Sequence, residues 1–201
     1  AHPARPLPAG TLAAGAARAV AWGAALAGVA LASAARVELG VLSVLVVALM
    51  YAYSPTLKRL GLAGNVTVAV LASLPFVYGA WAAGNAGAGL PLLAVAAPLH
   101  LAREIAKDLD DAAADRGLRR TVPAAYGQRA ARGAILAALA LWMVALLPLA
   151  GARPRFALFM LPAIVAALVA ARVSLGERRG APALLKGAML LSMLALVAAY
   201  A

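Results

Sequence analysis

The chain has no cysteine, two histidines and only seven acidic residues. The first absence excludes disulfides and thiolate-bound metals. His2 and His100 lie too far apart in sequence to suggest a local ligand pair, and His100 reads as a packing or capping residue near a helix end. Charge is missing from long stretches, since Asp, Glu, Lys and Arg together make up 12% of the chain. Period-two alternation is missing too, which argues against the strands of a membrane barrel.

What remains is apolar: 65% of residues are hydrophobic, and mean hydropathy is +0.92. Runs of about 20 residues almost free of charge are long enough to cross a bilayer as helices, and lipid tolerates only helices or closed barrels. The expectation is an all-α, polytopic transmembrane bundle. Seven spans can be placed, at about 11–34, 39–53, 64–83, 90–102, 133–150, 156–171 and 183–201. Pro55 breaks the second, an uncharged glycine-rich turn follows the third, and the fourth runs on into an acidic helix.

A net charge of +11 invites a nucleic-acid partner, but the cations sit in short loops between apolar spans. That distribution suits topology signals, anionic headgroups and phosphorylated substrates. Fifteen of the eighteen basic residues fall on one side of the layout; only Arg36, Arg153 and Arg155 fall on the other. By the positive-inside rule the rich side is cytoplasmic, in a cell membrane. It carries the N-terminal loop, Lys58 and Arg59, and the stretch 103–132.

That stretch holds five of the seven acids: Glu104, Asp108, Asp110, Asp111 and Asp115. At about 100° per residue, Glu104, Asp108, Asp111 and Asp115 share one helical stripe, with Asp110 turned toward the side of Arg103. Carboxylates aligned this way repel one another unless cations intervene. Their hard oxygens suit Mg²⁺, which binds through one or two carboxylates plus waters and substrate phosphates. There is also an internal echo: Arg5-Pro-Leu-Pro-Ala-Gly is similar to Arg120-Thr-Val-Pro-Ala-Ala, 115 residues on, each leading into an apolar span. The second copy follows the acidic helix, so a true repeat would place a matching cluster just before Ala1.

These features resemble the UbiA superfamily of intramembrane prenyltransferases. Asp111-Ala-Ala-Ala-Asp115, with Asp108 ahead and Thr121-Val-Pro after, is similar to the family's second aspartate-rich motif. Tyr53-Ser-Pro-Thr-Leu-Lys-Arg59 and Gly64-Asn-Val-Thr-Val-Ala69 resemble the segment between its two motifs, and Arg5–Gly10 the segment after the first. Within the superfamily the wording is similar to that of archaeal digeranylgeranylglyceryl phosphate synthases, with Ala114 where Gly often stands. The family has nine membrane helices. The seven spans here would be the third to ninth of one transmembrane domain, 1–201, lacking the first aspartate motif, and the chain alone is expected to be inactive.

The resemblance implies Mg²⁺-dependent transfer of a prenyl group, geranylgeranyl by this reading, from its diphosphate to a lipid acceptor, geranylgeranylglyceryl phosphate. Asp108, Asp111 and Asp115 would hold the metal and so serve catalysis. Lys58, Arg59, Arg103, Lys107, Asn65 and Tyr53 would bind substrate, Tyr53 through its ring face toward the allylic cation. Asp110 or a metal-bound water would be the base. An aromatic acceptor such as a quinone or haem precursor is the alternative enzyme reading, and a scaffold or transporter the alternative class. Transport fits poorly, because the spans carry almost no charge near the midplane.

Each residue also has a plainer reading. The stripe would be a solvated helix laced with Glu104–Lys107 pairs. Lys58 and Arg59 would be topology signals, Tyr53 an interfacial anchor, and Asn65 a helix cap. Arg103 would simply pair with Asp110 or with an acid beside Lys107. Arg116, Arg119 and Arg120 would serve topology or anionic lipid, and Glu177-Arg178-Arg179 would be only a turn.

Overall fold

The computed structural model describes residues 6–53, 61–112 and 121–200. These residues form seven α-helices and one short 3-10 turn, with no strand among them. The helices are α1 (Ala14–Ala35), α2 (Val37–Tyr53), α3 (Leu62–Ala82), α4 (Gly89–Asp110), α5 (Val122–Ala152), α6 (Pro154–Leu175) and α7 (Ala181–Tyr200). Six are long and apolar enough to cross a membrane; α2, at 17 residues, is shorter. Large apolar side chains such as Val20, Leu26, Leu147, Leu168 and Leu194 stand on the outside, where a soluble protein would place polar groups. Long uncharged helices with apolar exteriors make this an integral membrane protein.

The chain divides into two compact units, Ala1–Tyr51 and Ala52–Ala201. In the first, α1 and all but the end of α2 join through Arg36, which leaves helical geometry for one extended residue. Gly40 lies directly against Ser33, with no room for a Cβ between them. Trp22 and Tyr51 stack with ring centroids 4.4 Å apart.

In the second unit α4 is the hub, packing against α3, α5 and α7, while α6 packs on α5 and α7. The turn into α4 is made by Gly84, at φ 88°, and by the Asn85 side chain, which accepts the Ala88 amide at 3.2 Å. At Gly89 the two helices touch: a Cβ there would come within 2.6 Å of the Phe76 carbonyl oxygen. The core joins Val95, Leu99, Ala102 and Ile105 of α4 to Ile135 and Trp142 of α5, Phe156 and Met160 of α6, and Leu185 and Ala188 of α7. Alanine recurs throughout it, as expected where helices approach closely in lipid without a hydrophobic driving force between them. Two buried hydroxyls are satisfied within their own helices: Ser73 donates to Ala69 O at 2.8 Å and Ser192 to Ala188 O at 2.7 Å, whereas the buried Ser174 hydroxyl meets no partner among the described residues.

Two expected boundaries move. The fifth helix, expected as a span from about residue 133, starts earlier, at Val122. Thr121 caps it, accepting the Ala124 amide at 3.4 Å, and Pro123 sits in the first turn, where its missing N–H costs nothing. Gly127, at φ 84°, then kinks the helix, so the charged residues read as loop belong to a broken helical entry. The acidic helix, expected to carry the whole stripe, ends at Asp110, with Asp111 as its C-cap.

Candidate functional site

The last turns of α4 carry Arg103, Glu104, Lys107, Asp108 and Asp110, with Asp111 just beyond. A helix C-terminus is the negative end of the macrodipole, and a carboxylate there is disfavoured by about 0.3–1 kcal/mol. Three aspartates placed at that end cost stability unless something cationic or donating meets them. The surroundings meet Asp108 and Asp110, each in a different way.

Glu104, at the head of the stripe, is neutralised within α4. Arg103 Nη1 lies 2.6 Å from its Oε1, and Lys107 Nζ lies 3.1 Å from its Oε2. The plainer reading of Arg103 and Lys107 as partners of a neighbouring acid is therefore realised at Glu104, and Asp110 is not the partner of Arg103. Both cations remain partly exposed, so they can still turn toward an anion.

Asp108 is met from α3. Asn65 Nδ2 donates to Asp108 Oδ2 at 2.9 Å, across 43 residues of sequence. The carboxylate can only accept, so the amide nitrogen must face it. Asn65 is 8% exposed and stands in the first turn of α3, inside the helix and not at its cap. This bond joins two residues singled out separately in the sequence, and local pattern carries no sign of it.

Asp110 is met from α7. Its Oδ2 accepts the Gly180 amide at 3.0 Å. Gly180 precedes α7, and its own carbonyl accepts the Ala183 amide at 3.1 Å, so it is the N-cap residue. A negative group at the positive end of α7 offsets the unfavourable dipole of α4. Asp110 is thus engaged in holding two helices together, which weakens its case as a base.

A second tie secures the turn before α7. Arg132 Nη2 lies 3.0 Å from Glu177 Oε1 and donates to Gln128 Oε1 at 3.0 Å. Glu177 adopts φ 59°, unusual for a residue with a side chain, and is 72% exposed, so the ion pair itself contributes little. Sequence alone assigns Arg132 and Glu177 no part in the site, one reading as a loop charge and the other as a turn, and does not single out Gly180. Their one signal was charge at the edge of a span and a glycine before a helix.

Lys58, Arg59 and Asp115 lie outside the described residues, as does the side chain of Tyr53. Among the described residues, no three acidic, histidine or cysteine side chains gather closely enough to cage a metal. Asp108 and Asp111 do supply hard anionic oxygens, and Mg²⁺ needs only one or two from protein when waters and phosphates complete its shell. The donor chemistry fits that ion.

Residues 1–196 match the UbiA prenyltransferase family. The digeranylgeranylglyceryl phosphate synthase of Pyrococcus furiosus is 31% identical over 98% of this chain and 70% of its own length. The synthase of the same name from Halobacterium salinarum is 43% identical over 49% of this chain and 37% of its own. That from Methanosphaera stadtmanae is 30% identical over 64% and 48%, respectively. The chain thus spans 70% of the first relative and under half of the other two. No solved structure matches it significantly.

Proposed function

The chain belongs to the UbiA prenyltransferase family, and on that premise we propose that it attaches a geranylgeranyl group to the glycerol hydroxyl of geranylgeranylglyceryl phosphate, with Mg²⁺, at the cytoplasmic face of the membrane. The observation that carries this reading is the end of α4, where Asp108 and Asp111 stand at the negative pole of a helix and Asn65 fixes one of them. Relatives that make digeranylgeranylglyceryl phosphate supply the acceptor.

In this mechanism Asp108, Asp111 and Asp115 would hold Mg²⁺, with waters and substrate phosphates completing its shell. When bound, the ion supplies charge neutralisation for the leaving diphosphate. Asn65 orients Asp108 by its hydrogen bond, so that the carboxylate needs little rearrangement when substrate arrives. Arg103 and Lys107, partly exposed and shared with Glu104, would take phosphate oxygens, with Lys58 and Arg59 as further cations. Tyr53 would stabilise the allylic cation through its ring. The prenyl chain lies among apolar helices that exclude water. The allylic C–O bond breaks as diphosphate departs, the glycerol oxygen forms the new ether bond, and its proton is released.

The test is turnover of labelled geranylgeranyl diphosphate by purified full-length protein in detergent, with geranylgeranylglyceryl phosphate and 4-hydroxybenzoate competing. The expected product is the ether, requiring Mg²⁺ and lost in Asp111→Ala. An aromatic product would move the protein to quinone-type acceptors; no product with either would refute the proposal.

A further inference from the structure

The hydrogen bond between Asp110 and Gly180 spans 70 residues and joins the end of α4 to the start of α7. It sits one peptide from Asp111 and two from Asp108. The turn it holds, between α6 and α7, also meets α5, where Arg132 lies 3.0 Å from the exposed Glu177. Two helices that bracket the aspartate-rich stretch, α4 before it and α5 after it, are thus tied to the same short turn. Asp110 lies off the carboxylate stripe, and its described partner is a backbone amide, not a neighbouring acid or cation. The geometry at Gly180 is specific: φ is 109°, which a residue with a side chain rarely adopts.

We infer that Asp110 is a positioning residue for the metal carboxylates: by binding the Gly180 amide it sets how the last turn of α4 presents Asp108 and Asp111. This rests on the reading of that turn as the Mg²⁺ site. Asp110 contributes a fixed anchor on α7, and the charge it places at the N-terminus of α7 keeps the anchor closed. Losing it would let the end of α4 swing or fray, spreading Asp108 and Asp111 over orientations that bind the ion poorly. Acceptor affinity, which does not depend on that turn in this scheme, would hardly move.

The test uses full-length protein in nanodiscs, with Asp110→Ala, Asp110→Asn and Gly180→Ala. Three quantities are read: Mn²⁺ affinity by electron paramagnetic resonance, steady-state kcat and KM for each substrate, and hydrogen exchange around Gly180. Asp110→Ala is expected to speed exchange at Gly180, to weaken Mn²⁺ binding and lower kcat by about tenfold each, and to leave acceptor KM unchanged. Asp110→Asn keeps an oxygen that can accept the amide, so it should stay within about threefold of wild type. Gly180→Ala, which disturbs the same bond from the α7 side, should reproduce the Mn²⁺ defect. Equal losses in Asp110→Ala and Asp110→Asn, with Gly180 still protected, would overturn the inference by making Asp110 a direct ligand. Fast exchange at Gly180 with unchanged Mn²⁺ affinity would overturn it as well. A wild type that binds no Mn²⁺ and turns over without a divalent cation would instead defeat the reading of the site itself.

Discussion

Replacing Asn65 with alanine removes one donor from Asp108 and leaves the helix backbone alone. Asn65 is 8% exposed and its amide lies 2.9 Å from the carboxylate, so little water can fill the gap. A hydrogen bond to a charged partner contributes about 1.5–3 kcal/mol net. At about 1.4 kcal/mol per factor of ten, the loss corresponds to about 10–100-fold in any equilibrium or rate that depends on the oriented carboxylate. A domain of this size loses about 2–4 °C of melting temperature per kcal/mol, so the variant should melt about 3–12 °C lower if the whole effect falls on folding. The two readouts divide the energy. A positioning role lowers kcat/KM and weakens the dependence on Mg²⁺ with a small melting shift; a purely structural role does the reverse. Asn65→Asp sharpens the comparison, because it sets a second anion against Asp108 and should be worse than alanine in the absence of divalent cation, then partly recover as the cation is added. The assay is prenyl transfer in detergent across an Mg²⁺ titration, beside a thermal melt. Asn65→Ala with wild-type kcat/KM and wild-type melting would refute the claim that this bond organises the site.

Other perturbations probe the rest of the account. Glu104→Gln frees Arg103 and Lys107 from their shared partner; both pairs are partly exposed and contribute about 0.5 kcal/mol each, so KM for the prenyl diphosphate should fall about two- to fivefold in steady-state kinetics. Gly89→Ala drives a methyl group into the α3 backbone at Phe76 and Val77; overpacking of this kind costs about 1–3 kcal/mol, visible as a lower melting temperature, with activity retained below it.

The fold class was legible because the physical signal is strong and local. Long uncharged runs mark helices α1 and α3 to α7 without any knowledge of their neighbours. Helix ends were less so. Arg129 and Arg132 looked like loop charges, yet both lie in α5 beyond the kink at Gly127, with Glu177 as the partner of Arg132. The acidic stripe presumed a helix running through Asp115, while α4 stops at Asp110. At the candidate site, the residue types were visible but their pairing was not. Asn65 meets Asp108 and Asp110 meets Gly180 only because α4 packs against both α3 and α7, and no periodicity within one helix encodes a contact across 43 or 70 residues. The reading of Glu177 as a plain turn missed its role as the partner of Arg132, since a single exposed acid gives no hint of what lies across from it.

In the proposed mechanism, carboxylates at the end of α4 would recruit a divalent cation to the leaving diphosphate. The most direct measurement of that step is binding of a non-hydrolysable geranylgeranyl diphosphate analogue to the protein in nanodiscs, with and without Mg²⁺, in wild type and in Asp108→Asn/Asp111→Asn. The account predicts that Mg²⁺ tightens binding by about tenfold or more in the wild type and by nothing in the double variant. Equal Mg²⁺ enhancement in both proteins would contradict it.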